Sequence, residues 1–391
     1  MSRKVYLVSA VRTAIGDFGG GLRSMKPFDL TTRVIKEAVS RAHLEYAQIH
    51  QVIMGNCFAP LEQNIARISS LLLGMPYEIP GYTINCACSS GMQAVNLGST
   101  YISQGFADVV VAGGVESMTH APYILDTARW GQRLQHFRGI DLIWVGMQEY
   151  PVGGGVGLAA ERIAEMYGFT RKEQDELALA SHERAVRAIK EGRFKREILP
   201  IEVPAGRGKT RPVDTDEHPR GDTTVEALGQ LKPAFKEGGS VTAGNASSLN
   251  DGAAAVVLAS EEKVKALGLP VLAEVKAHSL AACDPHVVGI ASVPAIKKVL
   301  EQTGLQVKDI DLFEVNEAFA SYYLACEREL NLNREITNVN GSGISLGHPV
   351  GCTGCRMIVT LYYEMARRNL KRGIAGLCAG GGVGTAVLLE R

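Results

Sequence analysis

Apolar residues follow two rhythms along this chain. Short β-rich runs at Val5–Val8, Val109–Ala112, Ala254–Leu258 and Ala375–Cys378 read as buried strands. Between them apolar positions recur at helical spacing, as at Met357, Ile358, Leu361, Tyr362 and Met365. The alternation predicts an α/β architecture. After the stretch "TINCAC", Met92, Val95 and Ile102 fall on the buried face of a predicted helix. From about Met118 to Asn250 the rhythm breaks. That section holds Trp130, Trp144, a glycine run, a charged helical segment and the polar run "AGRGKTRPVDTDEHPRGDT", and it reads as an inserted domain of helices and loops.

The two ends repeat one order. A strand ending near Ile84 leads through Asn85 to Cys88, a helix and then "VVVAGGV"; later "NVNGSGISLGHP" leads to a helix beginning near His348 and then "GLCAGGGV". Similarity over so long a period points to a duplicated domain rather than a solenoid. Two such halves packed face to face bring both turns to one cleft.

Composition narrows the class. The 391 residues, 46% hydrophobic and 21% charged, can bury a large core. With 41 basic and 41 acidic residues, nothing asks for a nucleic acid or an anionic membrane, so an anionic ligand must be held locally. No apolar run approaches the ~18 residues of a membrane span, and the expected compartment is the cytoplasm. Eight scattered cysteines are a poor match for a disulfide framework, so reduced thiols are expected.

Cys88 stands just before a helix, where the dipole and unpaired N–H groups lower a thiol's pKa. The position also suits a small buried side chain, and this stretch does not choose between the two. Cys86, read as still on the extended strand, is assigned to packing. His348 lies between Gly347 and Pro349, with the proline in the first helical turn. Cys378 precedes three glycines whose backbone could offer N–H groups to an oxyanion. "CTGC" (Cys352, Cys355) has no second ligand pair at zinc-ribbon distance, and no metal is expected. "GGGVGLAAE" lacks the order of a dinucleotide fingerprint. The basic residues Arg184, Arg187, Lys190, Arg193, Lys195 and Arg196 read mainly as a solvated helix face.

From end to end the chain resembles the thiolases. "SAVRTAIGDFGGGL" is similar to their N-terminal strand and loop, although a proline is usual at Ala14. "NCACSSG" fits the family's N-x-x-C-x-S-G through Asn85, Cys88, Ser90 and Gly91. "SVTAGNASSLNDGAAAVVL", "EVNEAFA", "NVNGSGISLGHPVGCTGCR" and "LCAGGGVG" follow in the family's order.

The resemblance implies two similar βαβαβαββ halves in a five-layered α-β-α-β-α core with an inserted loop domain. Residues 1–117, completed by about 250–270, would form the first half, 118–249 the insertion and 271–391 the second half. It implies cleavage of a β-ketoacyl-CoA by coenzyme A, or the reverse Claisen condensation. Cys88 would be the acyl-accepting nucleophile, His348 its activator and Cys378 the acid/base. Asn316 would hold a water that forms one oxyanion hole with His348, and the N–H groups of Cys88 and Gly380 would form the other. Coenzyme A would serve as co-substrate, without a prosthetic group, against Arg220, Phe235, Ala243, Ser247, Ala318 and Phe319. The implied assembly is a homodimer or dimer of dimers.

Two features depart from acetoacetyl-type members. Gly155 and Val156 replace a His-Met pair at the acyl pocket, and the Trp130/Trp144 loop is rich in tryptophan and arginine. They lead to the expectation of a bulkier or aromatic acyl chain, as in benzoylsuccinyl-CoA thiolase, and of a possible small zinc-ribbon partner; a short-chain acetoacetyl-CoA thiolase is the alternative. A ketoacyl synthase would carry histidines, or histidine and asparagine, where this chain offers Cys378. A non-catalytic scaffold would be expected to have lost at least one of Cys88, Asn316, His348 and Cys378.

Overall fold

The computed structural model describes residues 3–131, 134 and 136–391. The first half runs β1 (Val5–Thr13), α1 (Pro27–Arg41), β2 (Gln51–Gly55), α2 (Ile65–Leu72), β3 (Gly81–Ile84), α3 (Ser90–Ser103) and β4 (Val109–Ser117). A long excursion carries α4 (Val156–Tyr167) and α5 (Arg171–Lys190) before β5 (Asn250–Ser260) completes the half. The second half runs β6 (Ala273–Ala282), α6 (Ser292–Thr303), β7 (Leu312–Val315), α7 (Ala320–Leu330), α8 (Val350–Arg368), β8 (Arg372–Ala379) and β9 (Val383–Glu390).

Strand pairing shows the duplication. The strands follow the order β7-β8-β9-β6-β1-β5-β4-β2-β3, joined between the halves at Tyr6–Glu274 and Leu7–Ala273. Outward from that seam, β1-β5-β4-β2 and β6-β9-β8-β7 share the same senses: two antiparallel pairings, then a parallel one. The parallel pair β2·β3 has its counterpart in a single parallel bridge between Phe313 and Thr337.

Five layers follow from the packing. α3 and α8 lie against each other between the two sheet halves, α1 and α2 cover the outer side of the first half, and α6 with α7 cover the second. α8 suits the middle layer because it is buried on every face from Val350 to Leu361. Met92, Val95 and Ile102 of α3 are buried as their spacing predicts.

The excursion is bound to the core by charge. Arg12 of β1 is fully buried, with Nε 2.6 Å from Glu197 and Nη1 2.7 Å from Asp216, and these two carboxylates push its pKa up. Two of the basic residues expected to face solvent do not. Arg184 donates to the carbonyls of Arg334, Thr337 and Asn338, and Arg193 donates to Asn340 at 2.7 Å, so both clamp α5 to the second half.

Candidate active site

Cys88 owes its position to a stapled turn. β3 stops at Ile84, Asn85 Oδ1 accepts the Ala87 N–H at 3.0 Å, and Ala87 takes φ +46°. Ser90 Oγ accepts the Cys86 N–H at 2.8 Å and donates to the Ala87 carbonyl at 2.6 Å. Asn85 and Ser90 thus fold the chain so that Cys88 arrives one residue before Ser89, the N-cap of α3. Cys86 is therefore within the turn and not on an extended strand, contrary to the sequence expectation.

His348 is set by a second turn. Gly347 has φ +98°, and a Cβ there would lie 2.6 Å from the Asn250 side chain, so glycine is required. Asn250 Oδ1 accepts the His348 N–H at 2.8 Å. Pro349 is the N-cap of α8, one position earlier than its sequence context predicts. The two helix starts then meet. A Cβ on Gly91 of α3 would lie 2.8 Å from the Gly351 carbonyl of α8, and Cys88 packs in one cluster with Val350.

The His348 ring has a defined polarity. Nδ1 is 2.7 Å from Thr353 Oγ1, and that hydroxyl donates to the Pro349 carbonyl at 3.0 Å. Thr353 therefore accepts Nδ1–H, leaving Nε2 unprotonated toward Asn316 Nδ2 at 3.4 Å. Asn316 follows β7, where its N–H binds the Gly376 carbonyl at 3.1 Å.

Cys378 lies at the end of β8 and Gly380 just beyond it. The backbone N–H groups of Gly380 and Cys88 pull the Cys88 thiol's pKa down. Burial nevertheless dominates and pushes the Cys88 thiol up to about 11, overriding the lowering expected at a helix start. Burial and the nearby Cys88 hold the Cys378 thiol well above its ordinary value, and burial drives His348 down to about 3. The resting trio is therefore two neutral thiols and a neutral imidazole.

Of the residues expected at coenzyme A, five cluster. The Ser247 N–H binds the Ala318 carbonyl at 2.9 Å, Ala246 bridges to Phe319, and the Phe235 and Phe319 rings meet edge-on at 5.7 Å. Ala243 is exposed in the adjoining turn, where Thr242 N–H binds Asn245 Oδ1. Arg220 stands apart in a separate polar group. It is exposed, its N–H binds His182 Nδ1 at 3.1 Å, and its charge adds to the His218 hydrogen bond that lowers the Asp17 pKa.

Three positioning residues escaped the sequence reading: Asn250, Thr353 and Glu116. The buried Glu116 carboxylate accepts from Asn56 Nδ2 and from the N–H groups of Cys57, Phe58 and Gly351 at 2.9–3.1 Å. It ties β4 of the first half to the start of α8. A lone carboxylate ending the apolar run "VVVAGGVES" was the available signal.

The acyl side differs from expectation. A Cβ on Gly155 would lie 2.7 Å from Gln148 Oε1, so Gln148 already fills the room that a missing imidazole was expected to leave. Trp130 and Trp144 are 88% and 59% exposed, and the Trp144 indole donates to Glu149. Gln132, Arg133 and Gln135 of that loop lie outside the described residues. Among the described residues, no helix is long and apolar enough to cross a membrane.

A duplicated five-layer core, with two helix starts and a glycine turn converging on paired cysteines and a histidine, defines an acyl-transferring condensing-enzyme type of site. The chain belongs to the thiolase family: residues 5–262 match the thiolase N-terminal domain and residues 269–391 the thiolase C-terminal domain. It is 47% identical to the acetyl-CoA acetyltransferase of Pseudomonas aeruginosa over 393 residues, 99% of each chain. The acetyl-CoA acetyltransferase structure of Bacillus anthracis is 49% identical, with TM-score 0.96, over 100% of this chain and 99% of that one. Human mitochondrial 3-ketoacyl-CoA thiolase in complex with CoA is 41% identical, with TM-score 0.94, over 99% of this chain and 98% of that one. The protein is an acyltransferase of the thiolase type.

Proposed function

We propose that the protein is a short-chain thiolase, cleaving acetoacetyl-CoA with coenzyme A and running the reverse condensation of two acetyl-CoA. The observation that carries the chemistry is the meeting of two helix starts, where α8 presents His348 with Nε2 3.4 Å from Asn316 Nδ2 and packs Val350 against Cys88 at the start of α3. The short chain is supported by the relatives named acetyl-CoA acetyltransferase and by Gln148 filling the space beside Gly155. The expected bulkier or aromatic chain loses both of its supports: the room at Gly155 is occupied and the tryptophans face outward.

In this reading Cys88 attacks the keto carbon while its proton passes to Nε2 of His348. Because burial disfavours a free thiolate and an imidazolium, proton transfer accompanies carbon–sulfur bond formation, when the keto oxygen takes up the charge. The Cys88 and Gly380 N–H groups stabilise the tetrahedral adduct. The carbon–carbon bond then breaks toward the thioester enolate, held by His348 and an Asn316-bound water, and Cys378 protonates its carbon. The acyl group is now a thioester on Cys88. Coenzyme A gives its thiol proton to Cys378 and attacks that thioester, and His348 returns the first proton to Cys88.

The same reading takes 118–249 as an insertion in the first half and places the pantetheine arm along Ser247, Ala318, Phe319, Ala243 and Phe235, with Arg220 toward the nucleotide. It also takes the enzyme as a homodimer or dimer of dimers acting in the cytoplasm. The test is turnover of acetoacetyl-CoA combined with peptide mapping of the trapped adduct. Acetyl on Cys88 and efficient cleavage are expected; an adduct on Cys86 instead would overturn the assignment.

A further inference from the structure

The loop that departs from the family at Gly155 and Val156 also carries Tyr150, and this ring reaches the glycine turn. A Cβ on Gly380 would lie 3.7 Å from Tyr150 Cε2 and 3.7 Å from Ala87 Cβ, and one on Gly381 would lie 2.9 Å from Tyr150 Oη. The Gly380 N–H lowers the pKa of the Cys88 thiol, and Ala87 immediately precedes Cys88. The phenol therefore stands beside the glycine turn, next to the segment that carries Cys88.

A second tyrosine forms a fixed wall nearby. Tyr322 is buried, its hydroxyl donates to the Val156 carbonyl at 2.7 Å, and its ring meets Phe319 at 5.0 Å. It also lies within the electrostatic reach of Cys88 and Cys378. Tyr150 contrasts with it: the ring is 37% exposed, and among the described residues no hydrogen bond ties its hydroxyl. One wall is pinned and the other is held by contact alone.

We propose that Tyr150 sets the acyl-chain length, its ring closing the channel beside Gly380 and Gly381 so that acyl groups longer than acetyl are excluded. The inference rests on the thiolase reading above and deepens it. Tyr150 is a specificity residue, not a participant in proton transfer, because its effect comes from the volume of the ring. Truncation orphans no buried partner, so the variants are expected to fold.

The test compares kcat/KM for acetoacetyl-CoA, 3-ketohexanoyl-CoA and 3-ketooctanoyl-CoA in wild type, Tyr150→Ala, Tyr150→Phe and Tyr150→Trp. In Tyr150→Ala the ratio of longer to four-carbon substrate should rise at least about tenfold. Phenylalanine should keep the wild-type ratio, and tryptophan should lower it. An unchanged ratio in both the alanine and tryptophan variants overturns the proposal. Wild type favouring the longer substrates would overturn this proposal together with the short-chain reading, whereas a wild type that favours acetoacetyl-CoA with an unchanged ratio in the variants would overturn this proposal alone. If the alanine variant fails to fold, Tyr150→Leu gives the same readout with an apolar side chain retained.

Discussion

Thr353 orients His348. Its Oγ1 lies 2.7 Å from the imidazole Nδ1 and donates its own hydrogen to the Pro349 carbonyl, so it receives Nδ1–H and leaves Nε2 as the basic nitrogen. The residue lies five positions beyond the histidine that it fixes, in the first turn of α8. The tautomer of His348 is thus set by α8 itself.

Thr353→Val keeps the shape and removes the acceptor, stranding a buried N–H at a cost of about 1–3 kcal/mol. We expect kcat/KM to fall about ten- to a hundredfold, with Thr353→Ser restoring most of it. Steady-state kinetics beside a thermal melt separate this from unfolding. A valine variant as active as wild type would remove Thr353 from the mechanism.

His348 also makes the fold acid-sensitive. Its pKa drops from an unfolded 6.5 to about 3 in the native chain, so between those values the unfolded state binds a proton that the native state does not. Its contribution is complete above pH 6.5 and is lost progressively as the pH falls toward 3. Going from pH 6.5 to 5 should remove roughly 1–2 kcal/mol, the slope rising toward about 1.4 kcal/mol per pH unit as the pH falls below 6.5. Urea unfolding of wild type and His348→Asn at the two pH values reads this directly. The variant should lose correspondingly less, and equal losses in the two proteins would contradict the linkage.

Cys378 offers a test of shared chemistry. Burial holds its thiol well above its ordinary value, which suits the proton donor of the proposed mechanism, and that mechanism has the same group take the coenzyme A proton in the second half-reaction. Cys378→Ala should remain folded and lose about 10²–10⁴ in both thiolysis and condensation. Loss in one direction only would mean that another group carries the second proton.

Much of this architecture was written in local pattern. The spacing of Met92, Val95 and Ile102 gave the inner helix, and the repeated turn-helix-strand order gave the duplication that strand pairing shows. Other features depend on partners far apart in sequence. Glu116 meets Gly351 across 235 positions, and Asn250 meets His348 across 98, distances that no local periodicity records. Ala87 hides its turn because alanine, unlike glycine or asparagine, gives no sign of a positive φ. The missing His-Met pair looked like open space, but volume lost at Gly155 is occupied by Gln148, seven residues back along the same loop.

The reactivity of Cys88 is where local and global physics disagree most. Its place before α3 predicts an acidic, readily alkylated thiol, and the Gly380 and Cys88 N–H groups pull in that direction. Desolvation pulls the other way, aided by the Glu116 charge, and wins, leaving the thiol near 11. Alkylation of Cys88 by iodoacetamide should therefore be slow at pH 7 and climb roughly tenfold per pH unit, still rising at pH 9.5, because the thiolate fraction grows without saturating. Peptide mass mapping is needed to follow Cys88 apart from the half-buried Cys57, Cys86 and Cys283. A plateau reached near pH 7 would show a preformed thiolate, and proton transfer to His348 would then precede attack on the keto carbon.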